Sequence, residues 1–91
     1  MTHTLREKQK LINRVRRIRG QMEGVERMLD QDKGCVEVMQ SIAGARGAIN
    51  GLMGEVIEDH IRMHLAAGGL SQTERDEGAA ELIDVVRAYL K

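Results

Sequence analysis

Proline, phenylalanine and tryptophan are missing from these 91 residues, and Tyr89 is the one aromatic side chain. A chain so poor in aromatics, with no proline to punctuate its turns, is a poor candidate for a β-sandwich or barrel. One cysteine, Cys35, excludes an intramolecular disulfide. A lone thiol also fits a reducing compartment better than a secreted scaffold. No apolar run reaches the length of a membrane span, and none resembles the core of a signal peptide. A cytoplasmic protein without a membrane partner is therefore expected. Net charge is absent too, because 14 basic residues balance 14 acidic ones, which taken alone argues against binding nucleic acid.

Enzyme signatures are equally scarce. The pair His60 and His64 lacks the glutamate of a zinc-protease HExxH motif, since position 61 is Ile. The glycine-containing run GARGAIN (44–50) lacks the Lys-Ser/Thr of a phosphate-binding loop and falls inside a helical pattern. Cys35 has no evident orienting partner, and the chain is too short to enclose a catalytic pocket. No enzymatic activity is expected.

What is present is periodic. Leu11, Val15, Ile18, Met22, Val25 and Leu29 follow alternating spacings of four and three, as do Val38, Ile42, Ala45, Ile49, Leu52 and Val56. Each set is an a/d seam along one side of a helix. Leu82, Val85, Val86, Tyr89 and Leu90 form a third, shorter stripe. The spacing predicts helices over about 5–30, 36–65 and 72–90. Asp32-Lys33-Gly34 makes the first break and Gly68-Gly69 the second, and Ser71 followed by Glu74 is a capping box opening the third helix. The fold class is thus all-α, a single domain over 1–91 with the first two helices as an antiparallel hairpin. Three narrow seams cannot enclose a core alone, so partner helices from a homo-oligomer are expected.

Two local features bear on that oligomer. Gly44, Gly47 and Gly51, with Ala43, Ala45 and Ala48, crowd small residues into the middle of helix 2, although each glycine costs a helix about 1 kcal/mol relative to alanine. Close approach of helix 2 from a second chain explains them, and tolerated weak propensity is the alternative. Charge is also unevenly spread. Residues 1–20 hold seven Lys or Arg against Glu7 alone, whereas residues 34–91 hold five basic and nine acidic residues. Arg14 with Arg17, and Arg16 with Arg19, put guanidinium groups on adjacent faces of helix 1. Such a surface either neutralises phosphates or is an ordinary solvated face. No helix-turn-helix or zinc finger accompanies it, so DNA recognition would rest on backbone contacts and DNA shape.

His60 and His64 stand four apart on one helical face, a ready chelate for nickel, cobalt, copper or zinc, though such pairs also arise by chance. Cys35 is the natural third ligand, but 25 residues of helix separate it from His60, roughly 37 Å. Two antiparallel copies of helix 2 crossing near Gly47 and Ala48 would bring Cys35 of one chain to the histidines of the other. His3 and the α-amine of Thr2, if Met1 is removed, offer two further nitrogens, unless the tail and its histidine are incidental.

The stretches RVRRIRGQMEGVERML (14–29), Cys35, IAGARGAINGLMGEVIEDHI (42–61) and VVRAYLK (85–91) together resemble the CsoR/RcnR/FrmR repressors over nearly the whole chain. The resemblance implies a three-helix protomer in a disc-shaped homotetramer, a dimer of dimers that binds promoter DNA and leaves it when an effector binds. It implies DNA contacts by Arg14, Arg16, Arg17 and Arg19, with Lys8, Lys10 and Arg46 as weaker contributors, on a G/C-tract operator. The effector positions read His3, Cys35, His60 and His64, a set similar to that of the nickel/cobalt sensors, in which the N-terminal amine also coordinates. Ni(II) or Co(II) is the implied effector, with Zn(II) a further candidate. Copper-sensing members carry a second cysteine where this chain has His64, so Cu(I) is disfavoured. Gly34 and Met63 replace carboxylates of the nickel/cobalt members. The formaldehyde sensors are the alternative: there the cysteine matching Cys35 is bridged to an N-terminal proline amine, and this chain has Thr2 at that place. A third reading, from another class, is a helical metal-storage or interaction module, against which the clustered arginines count.

Overall fold

The computed structural model describes residues 5–90. Three helices make up the described chain: α1 Leu5–Asp30, α2 Cys35–His64 and α3 Gln72–Tyr89. The expected ends agree within one residue, and the differences have local causes. The Gly34 carbonyl accepts the Val38 N–H at 3.2 Å, so α2 opens on Cys35 itself. At the end of α1, Lys33 N–H reaches the Met28 carbonyl at 2.9 Å and Asp32 N–H reaches Leu29 at 3.2 Å. This pairing is a Schellman cap, whose left-handed position is normally glycine. Here Asp32 takes it, with φ 54°, a conformation short polar side chains tolerate. Gly34 therefore serves to start α2 rather than to end α1. After His64, Leu65 and Ala66 both donate to the Ile61 carbonyl (3.0 and 2.8 Å), and Gly69 supplies the left-handed turn at φ 81°.

The capping box of α3 forms as expected. The Ser71 hydroxyl accepts from Glu74 N–H at 3.1 Å, and the Glu74 carboxylate accepts from Ser71 N–H at 3.1 Å. Hydrogen bonding to the Ser71 backbone N–H first, and to the Ser71 side chain second, holds the Glu74 carboxyl below its usual range. A lowered folded value means this contribution is present above the unfolded carboxylate pKa and is lost as pH falls through the folded one. Ser71→Ala is expected to reduce stability by about 1 kcal/mol, read as an earlier thermal midpoint by circular dichroism. An unchanged midpoint would show that α3 does not depend on its cap.

The chain divides into two compact units, α1 with α2 up to Met53, and α2 from Gly54 with α3. In the first, Ala48 shares a cleft with Arg14, Arg17, Ile18 and Gln21, and Gly51 lies under the Arg14 side chain. These pairs are equidistant from the turn at 31–34, as an antiparallel hairpin requires. The hairpin uses only half of each seam. Leu11, Ile18 and Val25 of α1 and Val38, Ala45 and Leu52 of α2 are buried or half-buried. Val15, Met22 and Leu29, and Ile42 and Ile49, remain exposed by 46–61%. Among the described residues, Val25 and Ala45 are the only buried hydrophobic side chains. The expected shortage of core is real, and it concerns one heptad position of each long helix.

In the second unit α3 turns Arg75, Gly78, Leu82 and Val85 inward at helical spacing, while Ile83, Val86, Tyr89 and Leu90 are exposed. The third stripe is thus split: Leu82 and Val85 lie on the covered side, Val86, Tyr89 and Leu90 on the open one. Among the described residues no helix is long and apolar enough to cross a membrane.

Candidate effector site and nucleic-acid interface

Cys35 and the two histidines occupy opposite ends of one continuous helix, α2. The Cys35 thiol is free and exposed at the helix start. His60 and His64 meet in the last two turns with ring centroids 4.8 Å apart and a 36° tilt, so the expected shared face is present. Among the described residues of one chain, no three His, Cys, Asp or Glu side chains converge on a metal-sized site. His3 and the Thr2 amine lie outside the described residues.

α3 determines how His60 is presented. Its Nε2 lies 2.9 Å from the Gly78 carbonyl. A carbonyl can only accept, so Nε2 is the donor in this contact, and in the neutral ring Nδ1 then carries the lone pair. Glu81, one helical turn on from Gly78, brings a carboxylate oxygen to 4.0 Å from the same nitrogen. His60 is largely covered (18% exposed) while Glu81 is open to solvent (66%), so the carbonyl at 2.9 Å is the hydrogen-bond partner and the carboxylate a longer, solvent-screened neighbour. Metal-binding imidazoles characteristically donate their second nitrogen to such an acceptor, which fixes ring and tautomer.

Gly78 makes this approach sterically allowed. A Cβ built on it would stand 2.5 Å from the His64 carbonyl oxygen and 2.9 Å from His64 Cβ. Backbone meets backbone there, and Gly78 is buried. Arg75, one turn earlier, donates from Nε to the Leu65 carbonyl at 3.3 Å and so closes the frayed end of α2. Sequence reading passed over Gly78 and Glu81. A glycine inside the helical run DEGAAEL was the available signal, since an interior glycine often marks close packing.

Imidazole nitrogen and thiolate sulfur, the donor types these side chains carry, suit borderline metals such as nickel, cobalt or zinc.

On α1 the basic residues are not equivalent. Lys8, Lys10, Arg16, Arg17 and Arg19 are exposed, as is Arg46 on α2, whereas Arg14 is half-buried. Arg6, which sequence reading left out of the contact set, borders a shallow cleft with Gln9, Lys10 and Asn13. Glu23 and Glu26 border another cleft with Arg19, so the basic stretch ends one turn past Arg19.

Residues 7–88 match the metal-sensitive transcriptional repressors. The chain belongs to this family. Over its full 91 residues it is 42% identical to a transcriptional repressor RcnR homolog of Escherichia coli O139:H28, covering all of that protein. Among solved structures it resembles a glutamate-to-histidine variant of the formaldehyde-responsive regulator FrmR from Salmonella enterica serovar Typhimurium. There the TM-score is 0.89 at 42% identity, over 97% of this chain and 99% of that one. It also resembles the nickel-responsive transcriptional regulator InrS, with a TM-score of 0.76 at 28% identity over 96% and 93%. The expected family and the all-α fold are borne out. Members of this repressor family are regulators rather than enzymes, in keeping with the missing catalytic motifs. Relatives responsive to formaldehyde and to nickel share the fold, so the backbone does not select the effector.

Proposed function

We propose that this repressor binds promoter DNA through α1 in its effector-free state and is released when Ni(II) or Co(II) binds between subunits. The ligands are Cys35 of one protomer and His60 and His64 of another, with His3 and the Thr2 amine as further donors. Zn(II) suits the same set of donors. One observation carries the reading: His60 and His64 pair on one face at the end of α2, with His60 oriented through its Nε2 contact to the Gly78 carbonyl. A histidine pair serving only as surface would not need a buried glycine to bring α3 against it. The subunits are arranged as a homotetramer, a dimer of dimers, whose interfaces take up the exposed half-seams of α1 and α2 and the Ile83, Val86 and Leu90 face of α3. Arg16, Arg17 and Arg19, with Arg14 and the outlying Lys8, Lys10 and Arg46, meet the phosphates of a G/C-tract operator. The protein acts in the cytoplasm. Release requires that the effector bind the DNA-free arrangement more tightly than the DNA-bound one.

The exposed Cys35 thiol and the likeness to FrmR favour a second reading. Formaldehyde would join the thiol to an N-terminal amine through a methylene bridge, with loss of one water. Fluorescence anisotropy of the reduced protein on labelled DNA from upstream of its own gene separates the two, with Ni(II) and formaldehyde titrated in parallel at matched salt. Release by nickel alone is the expected result. Release by formaldehyde alone would make Cys35 a reactive thiol and the histidines bystanders.

A further inference from the structure

Arg14 differs from the other arginines of α1 in where its guanidinium rests. Arg16, Arg17 and Arg19 are exposed, and Arg14 is half-buried. A Cβ built on Gly51 of α2 would lie 2.7 Å from Arg14 Nη1 and 3.8 Å from its Cζ. The guanidinium thus occupies the space that a side chain at 51 would need. Added Cβ atoms at Gly44, Gly47 and Gly54 meet nothing within 4 Å, so Gly51 alone among the glycines of α2 is closely approached within the chain. Glycine is the least favoured helix-interior residue after proline, and Arg14 supplies a reason for it at 51. Beside this contact, Arg14, Arg17 and Gln21 border a cleft of about 100 Å³ between α1 and Ala48. The cleft is thus bordered by two guanidinium groups and a carboxamide, donor types suited to a phosphate oxygen or a base edge.

We infer that Gly51 is the seat of the Arg14 guanidinium, which makes Arg14 the specificity-determining arginine of the DNA face and Gly51 its positioning residue. This rests on the DNA-binding reading above. A guanidinium lodged beside α2 has less freedom to lose than a fully solvated one and favours one contact geometry, whereas solvated arginines neutralise phosphates of any sequence. The seat is part of α2, the helix that carries Cys35, His60 and His64. Any displacement of α2 against α1 is therefore delivered to the arginine that discriminates the operator.

The full-length, effector-free protein provides the test, on a duplex from upstream of its own gene and on a scrambled duplex of equal length, each at several salt concentrations. Gly51→Ala is expected to lose about tenfold or more in affinity for the upstream duplex. It should keep its affinity for the scrambled duplex and for Ni(II). Arg14→Ala should lose at least as much on the upstream duplex, and adding Gly51→Ala to it should cost nothing further. The inference is overturned if Gly51→Ala binds the upstream duplex like the parent, if it weakens both duplexes equally, or if the two losses multiply in the double variant. Should Gly51→Ala melt early, recovery of the melting temperature in the double variant supports the seat, and no recovery overturns it. A parent protein that binds neither duplex would remove the DNA-binding reading itself, an outcome distinct from all of these.

Discussion

Replacing Gly78 with alanine is expected to weaken Ni(II) or Co(II) binding by about 10- to 100-fold, the usual loss when an outer partner of a metal-bound histidine is disturbed. The new methyl would meet the His64 carbonyl oxygen at 2.5 Å, and neither atom can rotate away because both are fixed to helix backbones. α3 must therefore move off α2, which takes the Gly78 carbonyl away from His60 Nε2. The imidazole then loses its orientation, and either nitrogen can carry the proton. Overpacking of this kind also lowers stability by about 1–3 kcal/mol, so binding and melting must be followed together. Competition with a chromophoric chelator gives the affinity, and the ring-nitrogen signals of His60 in a ¹⁵N spectrum report the tautomer. A variant with lost stability but parental affinity and parental His60 signals would show that α3 plays no part in presenting the site.

Ile49→Glu is expected to leave the chain unable to associate and, for that reason, largely unfolded at micromolar concentration. Ile49 belongs to the heptad position that the hairpin leaves exposed, together with Ile42 of α2 and Val15, Met22 and Leu29 of α1. With only Val25 and Ala45 buried among the described hydrophobic residues, one chain lacks the apolar burial that offsets the entropy of ordering its backbone. A carboxylate buried at this position in the proposed subunit interface would bring a desolvation penalty of several kcal/mol per subunit. Sedimentation velocity should show a monomer, and far-ultraviolet dichroism should show loss of helix. An exposed control such as Gln40→Glu, on the same helix, should remain associated and folded. A folded monomer of Ile49→Glu would mean that the protomer stands alone and that the exposed seam serves another purpose.

The contrast between those two residues separates what could be read from sequence from what could not. Ile49 was legible because it repeats. Its spacing from Ile42 and Val56 survives whatever the chain packs against, since helical periodicity is a property of the backbone. The helix ends were legible for a similar reason, because Ser71 and Glu74 satisfy one another across a single turn and need no tertiary partner. The pairing of His60 with His64 follows from the same periodicity, since residues four apart share one face of a helix.

Gly51 was read as a place of close approach, but its partner Arg14, like the roles of Gly78 and Asp32, was not legible, because each depends on what comes from elsewhere in the chain or on competition between neighbours. Asp32-Lys33-Gly34 announces a break, but which residue turns left-handed was decided by the hydrogen bonds of Lys33 and Asp32 back to Met28 and Leu29. A glycine inside a helix says only that something small is tolerated. It took the hairpin to put Arg14 over Gly51, and α3 to put Gly78 on His64. Sequence alone also treated the arginines of α1 as a group, because spacing assigns each to a face without saying which face is covered. By itself, then, the sequence determined the three helices, their amphipathic seams, the shortage of core and the residue types available at the ends of α2. Those follow from local bonding and periodicity. Tertiary structure alone decided which half of each seam is left open, which arginine is seated and which nitrogen of His60 is the donor. Those depend on contacts between residues far apart in the chain, whose partners no local pattern specifies.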